Sequence, residues 1–307
     1  MAYSDNMNMN MNMNMNMNMN MGNPMGSTPI ELGPKPWILD YTPNADTPTG
    51  KLPGVGKSYA SDGWDPGLVA VIAASELAQN LNWKKLKDGL DLEPLPNDSP
   101  AAPPVPVPGG SKIIDWITDE AFVQRELNYL LGLMQDDRDR YMSEIFAQAD
   151  GAPFYWYGLL GLQRGQKPKT YALIQCALRI GDVVALRLKA QYQRIRPSTL
   201  CAGLLPPFGP PLHPAFPSGH ATQGHLISLL LMAIDDGTGA MPLLQYQTEL
   251  DWLADKVAKN RERAGLHYPS DSHAGSFLAA AVANDLILKN SSPIVTGLLK
   301  AAAKEWP

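Results

Sequence analysis

The chain of 307 residues is 45% hydrophobic and 18% charged, with a formal net charge of −5 and a pI near 5.5. This length supplies a large core in one or two domains, and the acidic balance argues against a nucleic-acid-binding protein, which usually carries a basic face. The two cysteines, Cys176 and Cys201, lack the spacing of a zinc site and imply no disulfide framework.

The sequence gives no sign of a targeting or membrane segment. A secretory signal would combine a basic start with an apolar core, a pattern that the first residues do not have. No apolar run approaches the ~18 residues that span a membrane. We therefore expect a soluble protein without a membrane partner, either cytoplasmic or exported without a recognisable signal peptide.

Methionine and asparagine alternate strictly from Met7 to Met21. Because this segment has low complexity and asparagine disfavours strands, we predict a disordered tail over residues 1–28 and a single helical domain over residues 29–307. Residues 54–58 resemble a phosphate-binding loop, but Lys51 stands where its first glycine is required and no apolar strand precedes it. We reject a phosphate loop there.

Apolar residues at helical spacing organise the rest of the chain. A proline-rich connector at 91–110 follows the first predicted helix. The predicted helices cover residues 68–81, at least one long stretch within 116–149, a turn or short helix at 151–162, and then residues 170–193, 218 onward, about 241–263, about 269–288 and a short terminal segment. No strand pattern is convincing, so we expect an all-α helical bundle.

The stretch 212–225 contains three of the five histidines. Pro217 followed by Ser218 as a cap predicts a helix that begins here. The backbone N–H groups of Gly219 and His220 would then lack intrahelical acceptors and form a seat for an anion. A histidine beside an anion is a candidate acid or base, although a capped helix with an incidental histidine is the simpler explanation of this stretch alone.

Lys189 and Arg196 are seven residues apart, a distance of two helical turns. This spacing would place both cations on nearly the same face of one helix, about 10 Å apart along its axis, with Pro197 fixing the helix end. Both could reach one anion. A solvated basic face explains the pair equally well.

Arg261 and His267 flank a predicted corner between two helices. Gly265 suits the C-terminal cap of the first helix and Pro269 the first turn of the second, so both side chains can face one point. Asp271 lies four residues after His267, where a carboxylate can hold one ring nitrogen and leave the other as a nucleophile or metal ligand. The alternative is a surface corner whose polar groups are hydrogen-bonded and have no functional role.

Considered together, these segments supply three fixed positive charges, a helix N-terminus and an oriented histidine. Guanidinium groups match the oxygens of a tetrahedral oxyanion with paired hydrogen bonds. The combination therefore predicts a site for phosphate or its analogue vanadate.

The three segments resemble the signature of the superfamily of vanadium haloperoxidases and type 2 phosphatidic acid phosphatases. The resemblance covers residues 189–271 and implies a helical bundle. One position departs from the family pattern: Asn260 stands where serine is usual. The matching positions are Lys189-x6-Arg196-Pro197, Pro217-Ser218-Gly219-His220 and Arg261-x5-His267-x3-Asp271.

The resemblance also implies roles for these residues. In the phosphatase branch His267 would attack phosphorus and form a phosphohistidine, with His220 protonating the leaving oxygen and Asp271 steadying His267. In the haloperoxidase branch His267 would be the single protein ligand to vanadium, and His220 would assist deprotonation of the hydrogen peroxide that oxidises halide to hypohalous acid. The implied oxyanion-binding residues are Lys189, Arg196, Ser218, Gly219 and Arg261.

Two features favour the haloperoxidase branch. The amino-acid sequence of residues 213–223 is similar to that of vanadium bromoperoxidases. His213 also lies five residues before Ser218, where bromoperoxidases of this family carry histidine and chloroperoxidases phenylalanine, and it would tune proton transfer to bound peroxide. A ring packed in a loop between Pro211 and Pro214 is the alternative. The absence of membrane spans and of a signal peptide disfavours the phosphatases.

We therefore predict a vanadate-dependent haloperoxidase that uses hydrogen peroxide and halide, with bromide as the expected halide, and that can form a homo-oligomer. A soluble phosphomonoesterase acting through His267 and a non-catalytic scaffold that binds phosphate are the alternatives. His225 and His273 match no signature position, and we expect them behind the site or on the surface. Three carboxylates are candidates for an acidic partner of His220: Asp119, Asp136 and Asp137.

Overall fold

A computed structural model describes residues 64–92, 112–162, 165–235 and 237–306. The predicted tail, the rejected loop at 54–58 and most of the proline-rich connector lie outside these residues. Within them the chain forms α-helices joined by loops and short 3-10 turns, and no strand occurs. The predicted all-α fold is thus confirmed.

The helices follow one another along the chain with mostly short connections. None of the described helices has both the length and the apolar character needed to cross a membrane. In order they are α1 (Pro66–Asn80), α2 (Trp83–Leu92), α3 (Ile113–Ile117), α4 (Glu120–Asp136), α5 (Met142–Gly151), α6 (Pro153–Leu159), α7 (Pro168–Tyr192), α8 (Pro197–Leu200), α9 (Gly219–Met232), α10 (Gln247–Arg263), α11 (Pro269–Leu288) and α12 (Pro293–Ala303), with 3-10 turns at Asp139–Tyr141, Ala202–Leu204 and Leu244–Tyr246.

Helix α9 lies at the centre of the bundle, where it packs against α7, α10 and α11. Ala221, Leu226 and Leu231 are each fully buried, although they project from three different sides of the helix. A helix that is apolar all round has to be buried on all sides. The predicted anion seat at the start of α9 is therefore held by packing on several faces.

Close approach of α11 fixes the position at which α9 begins. A Cβ atom at Gly275 would lie 2.7 Å from Ala221 Cβ and 2.7 Å from the carbonyl oxygen of Ser218. The Ser218 N–H donates to the Asp271 carbonyl oxygen at 2.9 Å, which joins the same two helix ends. The missing side chain at Gly275 thus lets the starts of α9 and α11 meet.

Replacing Gly275 with alanine is expected to lower the free energy of unfolding by about 1–3 kcal/mol, the usual cost of overpacking a core. The better helix propensity of alanine is too small to offset a clash with backbone atoms. Gly297 in α12 is the matched control, because a Cβ there meets nothing within 4 Å. Gly297→Ala is expected to raise the free energy of unfolding by up to about 1 kcal/mol. Equal effects in denaturant titrations would contradict the packing argument.

The expectation that Lys189 and Arg196 share a face of one helix is wrong. Helix α7 ends at Tyr192, Gln193 takes a left-handed conformation (φ 49°), and Arg196 is extended (φ −66°, ψ 146°). The extended backbone before Pro197 follows from the steric restriction that proline places on its predecessor. The two cations come together through this turn and not through helical periodicity.

Other helix boundaries agree with the sequence to different degrees. Helix α9 starts after Ser218, and α11 covers Pro269–Leu288 as predicted. The long stretch within 116–149 is divided among α3, α4 and α5, and residues 241–246 precede the helix that was expected to include them. Helix α2 was not predicted, since only a narrow face with Leu86 and Leu90 is buried. Cys176 and Cys201 are free thiols.

Candidate oxyanion site

Four segments meet at the start of α9: the end of α7, the loop after it, the first turn of α9, and the corner between α10 and α11. The corner has the predicted form, with Gly265 in a left-handed conformation (φ 71°) after α10 and Pro269 at the start of α11. Contacts among these segments bring the predicted site residues together.

Lys189 is buried, with 2% of its surface exposed, and its Nζ donates to the carbonyl oxygens of Pro214 and Ala215 at 2.8 Å each. Burial and the nearby Arg196 cation lower the pKa of Lys189 well below its ordinary value. A bound anion would favour the charged form of Lys189, and an ammonium group has three donors. After the two carbonyl groups are satisfied, a third N–H can serve an oxyanion.

The guanidinium group of Arg196, 5% exposed, connects two histidines. Its Nη1 lies 2.7 Å from the Leu266 carbonyl oxygen and 3.0 Å from His267 Nε2. Its Nη2 lies 3.0 Å from His213 Nδ1, and its Nε donates to the His213 carbonyl oxygen at 3.0 Å. Burial lowers the pKa of Arg196 to about 10, so the group keeps its charge at neutral pH.

Hydrogen bonds hold His267 in one tautomer. Its Nδ1 lies 3.1 Å from Asp271 Oδ2, while its Nε2 faces Arg196. A carboxylate only accepts and a guanidinium only donates, so the ring proton is on Nδ1 and Nε2 carries a lone pair. Burial and the Arg196 cation lower the pKa of His267 well below its ordinary value. The result is a neutral imidazole that can attack phosphorus or bind a metal through Nε2.

Asp271 is fully buried and orients this ring. Its Oδ2 also accepts from the Tyr268 N–H at 3.0 Å. Burial would raise the pKa of Asp271, but the Arg194 guanidinium and the hydrogen bond from His267 hold it below its ordinary range. Asp271 is therefore an anion that keeps the proton on His267 Nδ1.

The first turn of α9 provides room and donors for an anion. Ser218 caps the helix, accepting from the Ala221 N–H at 3.4 Å. The N–H groups of Gly219 and His220 occupy the first helical positions, which have no intrahelical acceptor. A Cβ atom at Gly219 would meet no atom within 4 Å, so open space adjoins these donors.

His220 forms hydrogen bonds with the backbone carbonyl groups of Gln148 and Ala149, which lie in the last turn of α5. Burial and the Arg261 cation lower the pKa of His220 to about 3, so its ring is neutral at pH 7. A cavity of about 30 Å³ adjoins the ring and is also lined by Gln223. A space of this size holds about one water molecule.

None of the three candidate carboxylates is an electrostatic partner of His220. Asp119 caps α4 by accepting from the Phe122 N–H at 2.6 Å, and Asp137 pairs with Arg263 at 2.5 Å. Asp136 is exposed at the end of α4. The groups that raise the pKa of His220 are backbone carbonyls, which explains why a search for an acidic side chain could not find them.

Arg261 is the third buried cation of the set, with 1% of its surface exposed. Its Nη2 donates to the Ile145 carbonyl oxygen at 2.7 Å, and its Cζ lies 5.8 Å from the centre of the Phe208 ring. Because it lowers the pKa of His220, its charge lies on the His220 side of the site.

Asn260, the departure from the family pattern, does not point its amide at the other site residues. Its Nδ2 donates to Gln148 Oε1 at 2.8 Å and Glu144 Oε2 at 3.2 Å, and its Oδ1 accepts from Arg263 at 2.8 Å. Asn260 therefore braces the end of α5, the segment whose carbonyl groups contact His220.

His213 lies against Arg196, half-buried, in addition to neighbouring Pro214. His213 Nδ1 lies between a donor, Arg196 Nη2 at 3.0 Å, and an acceptor, the Pro214 carbonyl oxygen at 3.2 Å, so these contacts are compatible with either ring tautomer. Burial and the cations of Lys189 and Arg196 lower the pKa of His213 to about 4. Of the two remaining histidines, His225 lies 3.4 Å from Asp255 through Nε2 and Oδ1, on the α10 side of α9.

Two residues in contact with the site were not predicted from the sequence. Arg194 Nη1 lies 2.7 Å from Asp271 Oδ1, and its Nη2 lies 2.7 Å from Glu126 Oε2. A signal for Glu126 was present, since it is a carboxylate on the apolar face of α4, four residues after Phe122 and four before Leu130. Arg194 had no such signal beyond its proximity to Arg196.

The donor set fits a tetrahedral oxyanion such as vanadate or phosphate. Lys189 and Arg196 direct their hydrogen bonds to carbonyl oxygens and ring nitrogens, not to carboxylates, within the described residues. Buried cations without such partners favour an anionic ligand. Among the residues described, no group of three His, Cys, Asp or Glu could hold a metal ion. A vanadate group held by one histidine does not require such a group.

Comparison with known proteins gives a partial match. No protein-family model matches the chain. Over 95 residues the chain is 30% identical to a vanadium-dependent bromoperoxidase of Ascophyllum nodosum. The match covers 24% of this chain and only 17% of the length of that relative. The resemblance to the haloperoxidase superfamily is thus supported over one short stretch.

Proposed function

We propose that this protein is a vanadate-dependent haloperoxidase that oxidises halide, with bromide as the expected substrate, to hypohalous acid at the expense of hydrogen peroxide. The observation that carries the proposal is the contact of one guanidinium, that of Arg196, with both His267 Nε2 and His213 Nδ1 at 3.0 Å. Phosphate transfer through His267 would require no contribution from His213. The partial match to a bromoperoxidase supports the same choice.

In this proposal the oxyanion is held by His267 Nε2 and surrounded by cations. His267 would exchange its hydrogen bond from Arg196 for a bond to vanadium, and Arg196 would turn donors to the oxyanion oxygens. Lys189, Arg261 and the backbone N–H of Gly219 would neutralise the remaining charge. Bound vanadate would supply a Lewis acid that polarises the peroxide.

Histidine side chains of the protein would carry out the proton transfers. The overall reaction consumes one halide ion, one hydrogen peroxide and one proton, and it yields one hypohalous acid and one water. His220 would accept a proton from hydrogen peroxide and return it to the oxygen that leaves as water. The negative charge of the bound oxyanion would raise the pKa of His220, which burial and Arg261 lower. The tautomer of His213 with its ring proton on Nε2 would donate a hydrogen bond to a peroxide oxygen.

A paired assay on purified protein freed of bound oxyanions tests this proposal. In one arm, orthovanadate, hydrogen peroxide and bromide are added and bromination of a dye is followed. In the other arm, a phosphomonoester is added without vanadate and phosphate release is followed. We expect bromination that requires vanadate and exceeds any phosphate release.

Two other results would overturn the proposal. Fast phosphate release that vanadate inhibits, with weak bromination, would identify a phosphomonoesterase acting through His267. No turnover in either arm, with phosphate bound at the same site, would identify a non-catalytic phosphate-binding protein.

Replacing His213 with alanine is expected to lower the rate of bromination about 10- to 100-fold, the range for residues that support a metal site. Vanadate affinity should change little, because Arg196 Nε keeps its bond to the backbone carbonyl of residue 213. Turnover kinetics and calorimetric titration with vanadate measure the two quantities. His225→Ala serves as the control at a histidine that pairs with Asp255. Unchanged bromination in His213→Ala would remove the assigned role.

A further inference from the structure

Arg194 lies between two carboxylates that are both fully buried. Its Nη1 donates to Asp271 Oδ1 and to Ser270 Oγ, and its Nη2 donates to Glu126 Oε2, all at 2.7 Å. The guanidinium carbon also lies 3.8 Å from the centre of the Tyr268 ring. The two ion pairs and this stacking leave the side chain 6% exposed and fix it in one plane.

Because Arg194 occupies Asp271 Oδ1, the hydrogen bonds to the rest of the site are accepted by the other carboxylate oxygen, Oδ2. Oδ2 is left to accept from His267 Nδ1 at 3.1 Å and from the Tyr268 N–H at 3.0 Å. The three contacts come from different directions and fix the plane of the carboxylate. Since the carboxylate sets the ring of His267, its orientation also sets the direction of Nε2.

Glu126 ties this arrangement to a separate helix. Its Oε2 pairs with Arg194, while its Oε1 accepts from the Ser270 N–H at 2.8 Å. Ser270 lies in the first turn of α11, beside Asp271. Helix α4 therefore anchors both the guanidinium and the backbone from which Asp271 projects.

We propose that Arg194, fixed by Glu126, is a positioning residue that locks the Asp271 carboxylate and thereby holds His267 in the tautomer with its lone pair on Nε2. Arg194 itself does not contact His267 Nε2 and acts through Asp271. The effect on turnover rests on the proposed function, whereas the effect on the tautomer of His267 does not.

Substitutions at Arg194 separate positioning from folding. Arg194→Met would leave two buried carboxylates close together, and this variant can fail to fold. Arg194→Lys keeps the charge but offers a single ammonium group in place of a planar fork, so it cannot hold both carboxylates in the same geometry. The double variant Arg194→Met, Glu126→Gln removes one of the two carboxylates as well. Arg263→Met, which breaks the ion pair with Asp137, is the matched control.

The primary measurement is nitrogen NMR of the full chain with labelled histidine, which distinguishes protonated from unprotonated ring nitrogens. Assignment uses the loss of the His267 signals in His267→Gln. We expect wild type and Arg263→Met to show His267 with a protonated Nδ1 and an unprotonated Nε2. The double variant should show a mixture of tautomers, and Arg194→Lys an intermediate mixture. An unchanged single tautomer in every folded Arg194 variant would overturn the proposal.

Bromination supplies the second measurement. The folded Arg194 variants are expected to lose about 10- to 100-fold in kcat with a smaller change in KM for bromide, and Arg194→Lys should recover part of the loss. A wild-type protein without bromination would refute the proposed function but leave the tautomer result to decide the role of Arg194. Tautomer mixing without any change in kcat of an active enzyme would refute the positioning role in catalysis.

Discussion

Replacement of His267 with alanine is expected to abolish vanadate-dependent bromination, with a loss of more than about 10³-fold, and to eliminate tight vanadate binding. In the proposed function, His267 Nε2 would be the one protein atom bonded to vanadium. Its lone pair exists because Asp271 holds the ring proton on Nδ1. Calorimetric titration with vanadate and the dye-bromination assay measure the two losses.

Loss of activity in His267→Ala has to be distinguished from unfolding of the variant, and it does not by itself identify the reaction. The alanine variant should keep the circular dichroism of the wild type, because a small side chain at this position leaves the helices intact. Loss of His267 would also stop phosphate release in a phosphomonoesterase, so this variant tests the site and the paired assay tests the reaction. Vanadate binding of wild-type strength in His267→Ala would show that the oxyanion lies elsewhere.

Replacing Arg196 with methionine is expected to lower bromination about 10²- to 10³-fold, the usual cost of removing one donor that stabilises developing negative charge. The loss includes the hydrogen bonds that Arg196 makes with His213 and His267. Arg196→Lys is expected to recover only a small part, because an ammonium group cannot reach both rings in the geometry of the planar fork. Vanadate affinity should fall in both variants.

Arg187 supplies the matched control for this prediction. It lies on α7, is exposed, and stacks its guanidinium over the Trp83 ring at 4.2 Å. Arg187→Met removes the same charge and should leave bromination within about twofold of wild type. Equal losses in the two methionine variants would mean that Arg196 contributes only to the general electrostatic field.

The parts of the site that the sequence located correctly are those built from local interactions. Ser218 as a cap, Gly265 and Pro269 at a corner, and the contact of His267 with Asp271 all depend on residues at most four or five positions apart. Local backbone preferences determine such features before the chain folds. The assumption of one continuous helix from Lys189 to Arg196 failed because the helix ends at Tyr192, Gln193 takes a left-handed conformation, and Arg196 before Pro197 is extended.

Contacts between distant segments account for what the sequence did not reveal. Arg194 and Glu126 are 68 positions apart, and the Ser270 N–H reaches Glu126 across 144 positions. The partners of His220 are backbone carbonyl groups, which no residue type identifies. Such contacts depend on how α4, α5 and α11 pack together.

The sequence by itself determined the helical class, the start of α9 and the corner between α10 and α11, because periodicity, capping and spacing act within a few turns. Only the tertiary structure decided which nitrogen of His267 carries a lone pair, why the pKa values of His213 and His220 fall to about 4 and about 3, and which side chains hold Asp271. Those properties follow from burial and from charges brought together by packing, and neither exists in the extended chain.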